Sequence, residues 1–195
     1  MGELVHAPRA EGRILLIEPR RLAAKAAATR LAESIGEPVG KRVGYSVRNE
    51  QQRSDATTIE AITDGLFLRR LQSQPDLPGV GVVIFDEFHE RRRDSDVALA
   101  LLREARRLLR PDLKLLLMSA TLQLEALSAQ FDAADTLTSQ GQAFPVETRH
   151  CPPRNKEQLE THVLRALDEE LIELEQGRYT GETHPGVLVF LPGVR

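Results

Sequence analysis

Val80-Gly81-Val82-Val83-Ile84-Phe85-Asp86-Glu87-Phe88-His89 decides how this chain is read: a short apolar run that closes abruptly on two carboxylates. It lacks the polar alternation of a half-wetted strand, and so reads as a strand buried on both faces, as in a parallel sheet. Working outward, the same kind of run recurs. Arg13-Ile14-Leu15-Leu16-Ile17 ends at Glu18-Pro19, and Leu113 to Met118 ends before Ser119. Helical patterns lie between these runs. Arg21 to Ile35 is rich in Ala and Leu and stops at Gly36, with Pro38 beyond. Asp64 to Gln72 follows the β-branched stretch Thr57 to Thr63 and ends near Pro75. Asp94 to Leu109 repeats Val97, Leu101, Ala105 and Leu108 at helical spacing before Pro111, and Leu122 to Phe131 reads as a further helix. Apolar strands alternating with helices predict an α/β domain whose doubly wound parallel sheet is covered on both faces.

The periodicity breaks between Gln140 and Asn155, where Gly141, Pro145, Pro152 and Pro153 interrupt it. A boundary there divides the chain into residues 1–145 and 146–195. In the second part, Leu164, Leu167, Leu171 and Leu174 mark an amphipathic helix over Glu157 to Gln176. Gly186-Val187-Leu188-Val189-Phe190-Leu191 reads as one more buried strand. A parallel strand needs neighbours, so the second part is expected to be the start of a larger unit.

Bulk properties narrow the function classes. The hydrophobic share of 41% and charged share of 28% are those of an ordinary soluble globular protein. No apolar run approaches the ~18 residues that cross a bilayer. Met1 to Gly12 carries Glu3, Pro8 and Glu11 where a signal peptide needs an unbroken apolar core. No membrane association and a cytoplasmic location are expected. The lone Cys151 excludes an internal disulfide, and with His150 beside it no further ligand completes a metal site. A net charge of −3 argues against coating nucleic acid by bulk electrostatics, and the absence of Trp argues against a base-stacking sheet. Any nucleic acid bound here would be gripped by its backbone.

Asp86 and Glu87 sit where open α/β sheets place their ligands, at the carboxyl end of a strand. Phosphoryl transfer from a nucleotide needs Mg²⁺, which an acid on a rigid strand end can hold, and a group that orients or deprotonates the attacking water. Asp86 suits the first role and Glu87 the second. Alone the signal is only moderately specific, because many strands end in acids where the chain re-enters solvent.

The ordered set of motifs is more specific. Asp86-Glu87-Phe88-His89-Glu90-Arg91 resembles the Walker B box of DEAH-box superfamily 2 helicases, with Phe in the place usually held by Ala, as in the bacterial HrpB-type group. Pro19-Arg20-Arg21 resembles motif Ia, Thr63-Asp64-Gly65 motif Ib, Ser119-Ala120-Thr121 motif III, and Phe190-Leu191-Pro192-Gly193 motif IV. Val43 to Arg48 and Phe144-Pro145-Val146-Glu147 resemble connecting segments of the same branch. The resemblance runs from about residue 13 to the end. It implies a RecA-like sheet of the P-loop NTPase type, with a first motor domain to residue 145 and a linker and the start of a second domain over 146–195. ATP and Mg²⁺ are the implied cofactors, and nucleic acid, RNA rather than DNA, the implied partner beside the rest of a helicase chain. It further implies that Asp86 and Glu87 hold the metal and nucleotide, that Glu87, Asp86 and His89 are catalytic, and that Ser119 and Thr121 couple the two sites. Pro19, Arg20, Arg21, Arg48, Thr63, Asp64 and Gly65 would meet the nucleic-acid strand. Arg92 and Arg93 depart from the family's small or polar residues and read as a solvated helix start.

The motor's phosphate-gripping loop is not among these motifs. Lys25, Lys41, Lys114 and Lys156 are followed by Ala, Arg, Leu and Glu, so none is the lysine of a Gly-rich Lys-Ser/Thr loop. In the family that loop lies just before the strand at Ile14, and the arginine-rich motif VI would lie beyond Arg195. The expectation is therefore a helicase fragment that neither binds ATP tightly nor hydrolyses it, with one interior strand missing and an apolar edge exposed. Two other readings are a non-catalytic nucleic-acid-binding remnant and a Mg²⁺-dependent nuclease or phosphatase. The latter is disfavoured because no further acids cluster at strand ends.

Overall fold

A computed structural model describes residues 12–120, 131, 135–139, 147–177 and 186–191. The chain divides into two compact units, residues 1–137 and 138–195. In the first, six strands form one sheet: β1 (Arg13–Glu18), β2 (Val43–Val47), β3 (Glu50–Gln52), β4 (Ile59–Thr63), β5 (Val80–Phe85) and β6 (Lys114–Leu117), ordered β3-β2-β4-β1-β5-β6. All pairings are parallel except the β2–β3 hairpin. Helices α1 (Arg21–Ser34), α2 (Asp64–Ser73) and α3 (Arg93–Leu108) connect the strands.

The sheet is covered on both faces, as its unbroken apolar strands require. On one face the small residues Ala24, Ala27, Ala28 and Ala32 let α1 approach closely and pack with Leu31 over Ile14, Leu16, Val43 and Ala61. On the other, α2 and α3 place Phe67, Leu71, Ala98 and Leu102 against Leu15, Ile17, Ile62 and Val83. Successive residues of β1 alternate between these two cores, which is the period-two geometry of a strand with two buried faces. The expected doubly wound α/β architecture is the one observed.

The hairpin was not expected as secondary structure: Val43 to Arg48 carried only a family likeness. It forms because Gly44 lets the chain after β3 approach; a Cβ there would stand 2.6 Å from the carbonyl oxygen of Gln52. At the opposite side of the sheet β6 is an edge strand among the described residues, and its Leu116 is exposed.

In the second unit, α4 (Leu159–Glu175) is the amphipathic helix foreseen from its leucines, although none of its residues is buried. Cys151 accepts a hydrogen bond from Arg165 Nη1 at 3.0 Å, and the carboxylate of Glu157 holds the same guanidinium. Gly186 to Leu191 departs from expectation. It forms no strand, and Leu188 and Phe190 are exposed. Apolar residues become a strand only where neighbours supply a ladder and cover the faces, and no described segment is paired with this one. The helix expected over Leu122 to Phe131 lies outside the described residues apart from Phe131. No helix among the described residues is long and apolar enough to cross a membrane.

One interior position breaks the apolar rule. Glu60, in the middle of β4, is fully buried. Arg70 of α2 grips it with two bonds of 3.0 and 2.7 Å, Ser46 donates from β2 at 2.6 Å, and Arg53 and Arg13 stand at 3.7 and 3.8 Å. Burial pushes this carboxyl up, but the Arg70 and Ser46 bonds outweigh it and hold it below its ordinary value. A lowered carboxyl contributes stability above the ordinary carboxylate range, lost as pH falls through the lowered value. Glu60→Ala is expected to cost about 3 kcal/mol in urea unfolding at pH 7, because it strands the Arg70 charge. Glu104→Ala, which breaks only an exposed pair with Arg107, should cost less than about 1 kcal/mol. Equal losses in the two variants would contradict the assignment.

Candidate functional site

Because β2, β4, β1, β5 and β6 are parallel, their carboxyl ends fall on one edge of the sheet. The register aligns Glu18 with Thr63, Ile17 with Phe85, and Phe85 with Leu117. Residues scattered over about 100 positions of sequence are thereby collected in a row. Arg48 leaves β2, Thr63-Asp64-Gly65 leave β4, Pro19-Arg20-Arg21 leave β1, Asp86-Glu87 leave β5, and Ser119 follows β6. Thr121 lies outside the described residues, as do Phe144-Pro145-Val146 and Pro192-Gly193.

The acid pair stands on a tightly fastened turn. The Asp86 N–H donates to the Ile17 carbonyl of β1 at 3.0 Å, the Phe88 N–H to Met118 at 3.1 Å, and the Met118 N–H to Phe85 at 2.8 Å. Asp86 Oδ1 accepts the Glu87 N–H at 2.8 Å. A 3₁₀ turn over Phe88–Glu90 is bracketed by Glu87 at φ 50° and Arg91 at φ 47°. Two non-glycine residues in the left-handed region cost roughly 1–3 kcal/mol each and persist only where surrounding contacts impose them. Phe88 supplies the main anchor. It is buried and meets Phe85 edge-on at 6.0 Å, and Phe85 meets Phe67 of α2 at 5.8 Å. The residue that departs from the usual Ala of the box thus pins the turn into the core beneath α2. His89 Nδ1 is buried and lies 3.3 Å from Glu87 Oε2, but without hydrogen-bonding geometry.

Glu18, which the sequence presented only as the end of a strand, belongs to the same acidic group. It is buried at the end of β1, and its carboxyl is pushed up to about 7, first by burial and then by Asp86 and Glu87, with Arg30 opposing. Three carboxylates crowd one strand-end junction, a field that a divalent cation would relieve. Among the described residues no three metal-ligating side chains are placed to hold an ion by themselves.

On the β1 and β4 side, Arg20 stands at the N-cap of α1 and is exposed, while Pro19 before it is buried. Arg20 is paired with Glu90 at 3.0 Å, and Arg21 lies 3.9 Å from Glu50. Thr63 occupies the N-cap position of α2 but makes no side-chain capping bond. Asp64 is buried. It accepts from Arg92 at 2.8 Å, Ser95 at 3.4 Å and the Gly65 N–H at 2.7 Å. Gly65 has a steric reason, since a Cβ there would come within 3.1 Å of Asp94 Oδ2. Arg92 is exposed, as a solvated helix start would have it, and is also the partner that lets a buried acid sit between the starts of α2 and α3. Arg48 is exposed in the β2–β3 turn. No sequence pattern distinguishes the Asp64–Arg92 pair; it arises from two helix starts brought side by side.

Glu18 offers a test of its burial beside the acid pair. With its carboxyl raised from 4.5 to about 7, folding is favoured below the ordinary value and the advantage is lost as pH rises through 7. Glu18→Gln is expected to raise the thermal midpoint at pH 8 and to change it little at pH 4.5, the difference corresponding to at most about 3 kcal/mol. A variant equally altered at both pH values would contradict the reading.

Comparison with known proteins bears on the fold and the family. The DEAD/DEAH box helicase profile matches residues 3–129. The chain is 42% identical over 192 residues to the ATP-dependent RNA helicase HrpB of Escherichia coli, covering 98% of this chain and 23% of that protein. It is 35% identical over 191 residues to a probable ATP-dependent RNA helicase of Saccharomyces cerevisiae, DHR2, covering 98% of the chain and 25% of the relative. The crystal structure of E. coli DEAH/RHA helicase HrpB superposes with a TM-score of 0.81 at 43% identity, over 88% of this chain and 22% of that one. The chain thus spans about a quarter of the length of the relatives it matches. The fold is RecA-like, and the chain belongs to the DEAD/DEAH box helicase family.

Proposed function

We propose that this chain is the strand-contacting and water-activating part of an ATP-dependent nucleic-acid motor acting on RNA, in which residues 1–145 belong to a first motor domain and 146–195 to a linker and the start of a second. The observation that carries this reading is the shared sheet edge: the acid pair after β5 and the arginines after β1 occupy adjacent strand ends. ATP would supply the transferable phosphoryl group, and Mg²⁺ the charge neutralisation that phosphoryl transfer requires. Asp86 would hold the cation, kept rigid by its bond to the Ile17 carbonyl. Glu87, the most exposed of the three acids, would orient and deprotonate the attacking water. His89, facing Glu87, and Ser119, at the end of β6, would sense the state of that site. Arg20, Arg21 and Arg48, with Thr63 and the α2 start, would hold consecutive phosphates, giving affinity without base recognition. Asp64 serves this contact indirectly, by fixing Arg92 and the start of α2.

None of the four lysines stands in a Gly-rich Lys-Ser/Thr loop, so the 195 residues are proposed to contact single strands without turning over ATP on their own. In anisotropy titrations with single-stranded RNA at low salt, the Arg20→Ala/Arg21→Ala variant is expected to lose about tenfold in affinity and to flatten the log K against log salt slope by about 1.4, or 0.7 per lost phosphate contact. Mg²⁺-ATP with RNA should yield no phosphate release above background. Unchanged binding by the double variant, or hydrolysis abolished by Glu87→Gln, would overturn the proposal for this chain.

A further inference from the structure

A phosphate approaching the start of α1 meets a guanidinium that is already engaged. Arg20 Nη2 donates to Glu90 Oε1 at 3.0 Å, across 70 positions of sequence. The two partners differ in freedom. The Arg20 side chain is 68% exposed, whereas that of Glu90 is 27% exposed. Glu90 is held by its backbone: its N–H donates to the Glu87 carbonyl at 3.0 Å, in the turn that buried Phe88 pins down. The neighbouring arginines bond other acids, Arg91 to Asp96, Arg92 to Asp64 and Arg93 to Asp94. Glu90 thus faces Arg20 across the boundary between the β1 end and the acid turn. A carboxylate and a phosphodiester are oxyanions that compete for the same planar fork.

We propose that Glu90 gates Arg20: a nucleic-acid phosphate must displace the Glu90 carboxylate before Arg20 can hold it. Glu90 then lowers the affinity of this edge for a strand, and the displaced carboxylate belongs to the turn that carries Asp86 and Glu87. The inference rests on the proposed strand contact at Arg20. An exposed ion pair is weak enough for a phosphate to displace it, yet strong enough to leave a measurable mark on affinity.

The test is a titration of the chain with fluorescein-labelled oligouridylate, with thermal melts confirming folding. Glu90→Gln, and independently Glu90→Ser, should tighten binding roughly three- to fivefold. Arg20→Ala should weaken it, and adding Glu90→Gln to Arg20→Ala should change nothing further, because the gate then has nothing to hold. Oligothymidylate should show the same ratios, since the phosphodiester is common to both. If Arg20→Ala weakens binding but neither Glu90 variant tightens it, the gate is wrong and the strand contact stands. Tightening that persists in the Arg20→Ala background would also overturn the gate, because it would reflect general repulsion of the strand by an acid. If Arg20→Ala has no effect, the strand contact falls and the gate with it.

Discussion

The common direction of five strands is the constraint on which everything else depends. Strands that run the same way have their carboxyl ends on the same edge, so every connection that leaves one opens there. In this chain that edge receives Arg48, Thr63, Pro19 with Arg20, Asp86 with Glu87, and Ser119, in the spatial order β2, β4, β1, β5, β6. The apolar strands between α1 on one face and α2 and α3 on the other hold this row rigid. Because β1 lies between β4 and β5, the arginines following it are next to the acids without any loop having to reach across.

Packing that edge so tightly crowds like charge. Glu18 ends one strand where Asp86 and Glu87 end its neighbour, and its carboxyl is raised first by burial and then by those two acids. The acid turn is further held between two left-handed residues, a conformation imposed by Phe88 in the core and by backbone bonds to Ile17 and Met118. The exposed arginines on the other side of the junction are meanwhile tied to carboxylates. The edge thus sets paired opposite charges beside crowded like charges.

Much of the architecture was legible in the sequence, and for a uniform reason. The elements β1, β5, α1, α2 and α3 begin and end within a residue or two of their expected limits, because each is an apolar run or a helical stripe cut off by Gly, Pro or acids. The β2–β3 hairpin was less legible: five residues containing Gly44 and Ser46 carry little hydrophobic signal, and their burial comes from α1 and Glu60 rather than from their own composition. Glu60 itself resembles a surface residue in sequence, yet its charge is compensated by Arg70 ten positions later, which only folding brings into place. Gly186 to Leu191 shows the converse error, since an apolar run is only as good a strand as the neighbours that cover it. Within the site, residue types at strand ends were readable, whereas the pairs Arg20–Glu90 and Asp64–Arg92 were not, because both join segments distant in sequence.

The central claim is that the carboxyl-terminal edge of the sheet is the working edge, and amide hydrogen exchange tests it most directly. With a saturating single-stranded RNA, protection should concentrate at residues 19–21, 48, 63–65 and 86–90, and leave the opposite ends of the strands, at 12–13, 57–58 and 79–80, unchanged. Protection centred on those opposite ends, or spread evenly over both edges, would contradict the account.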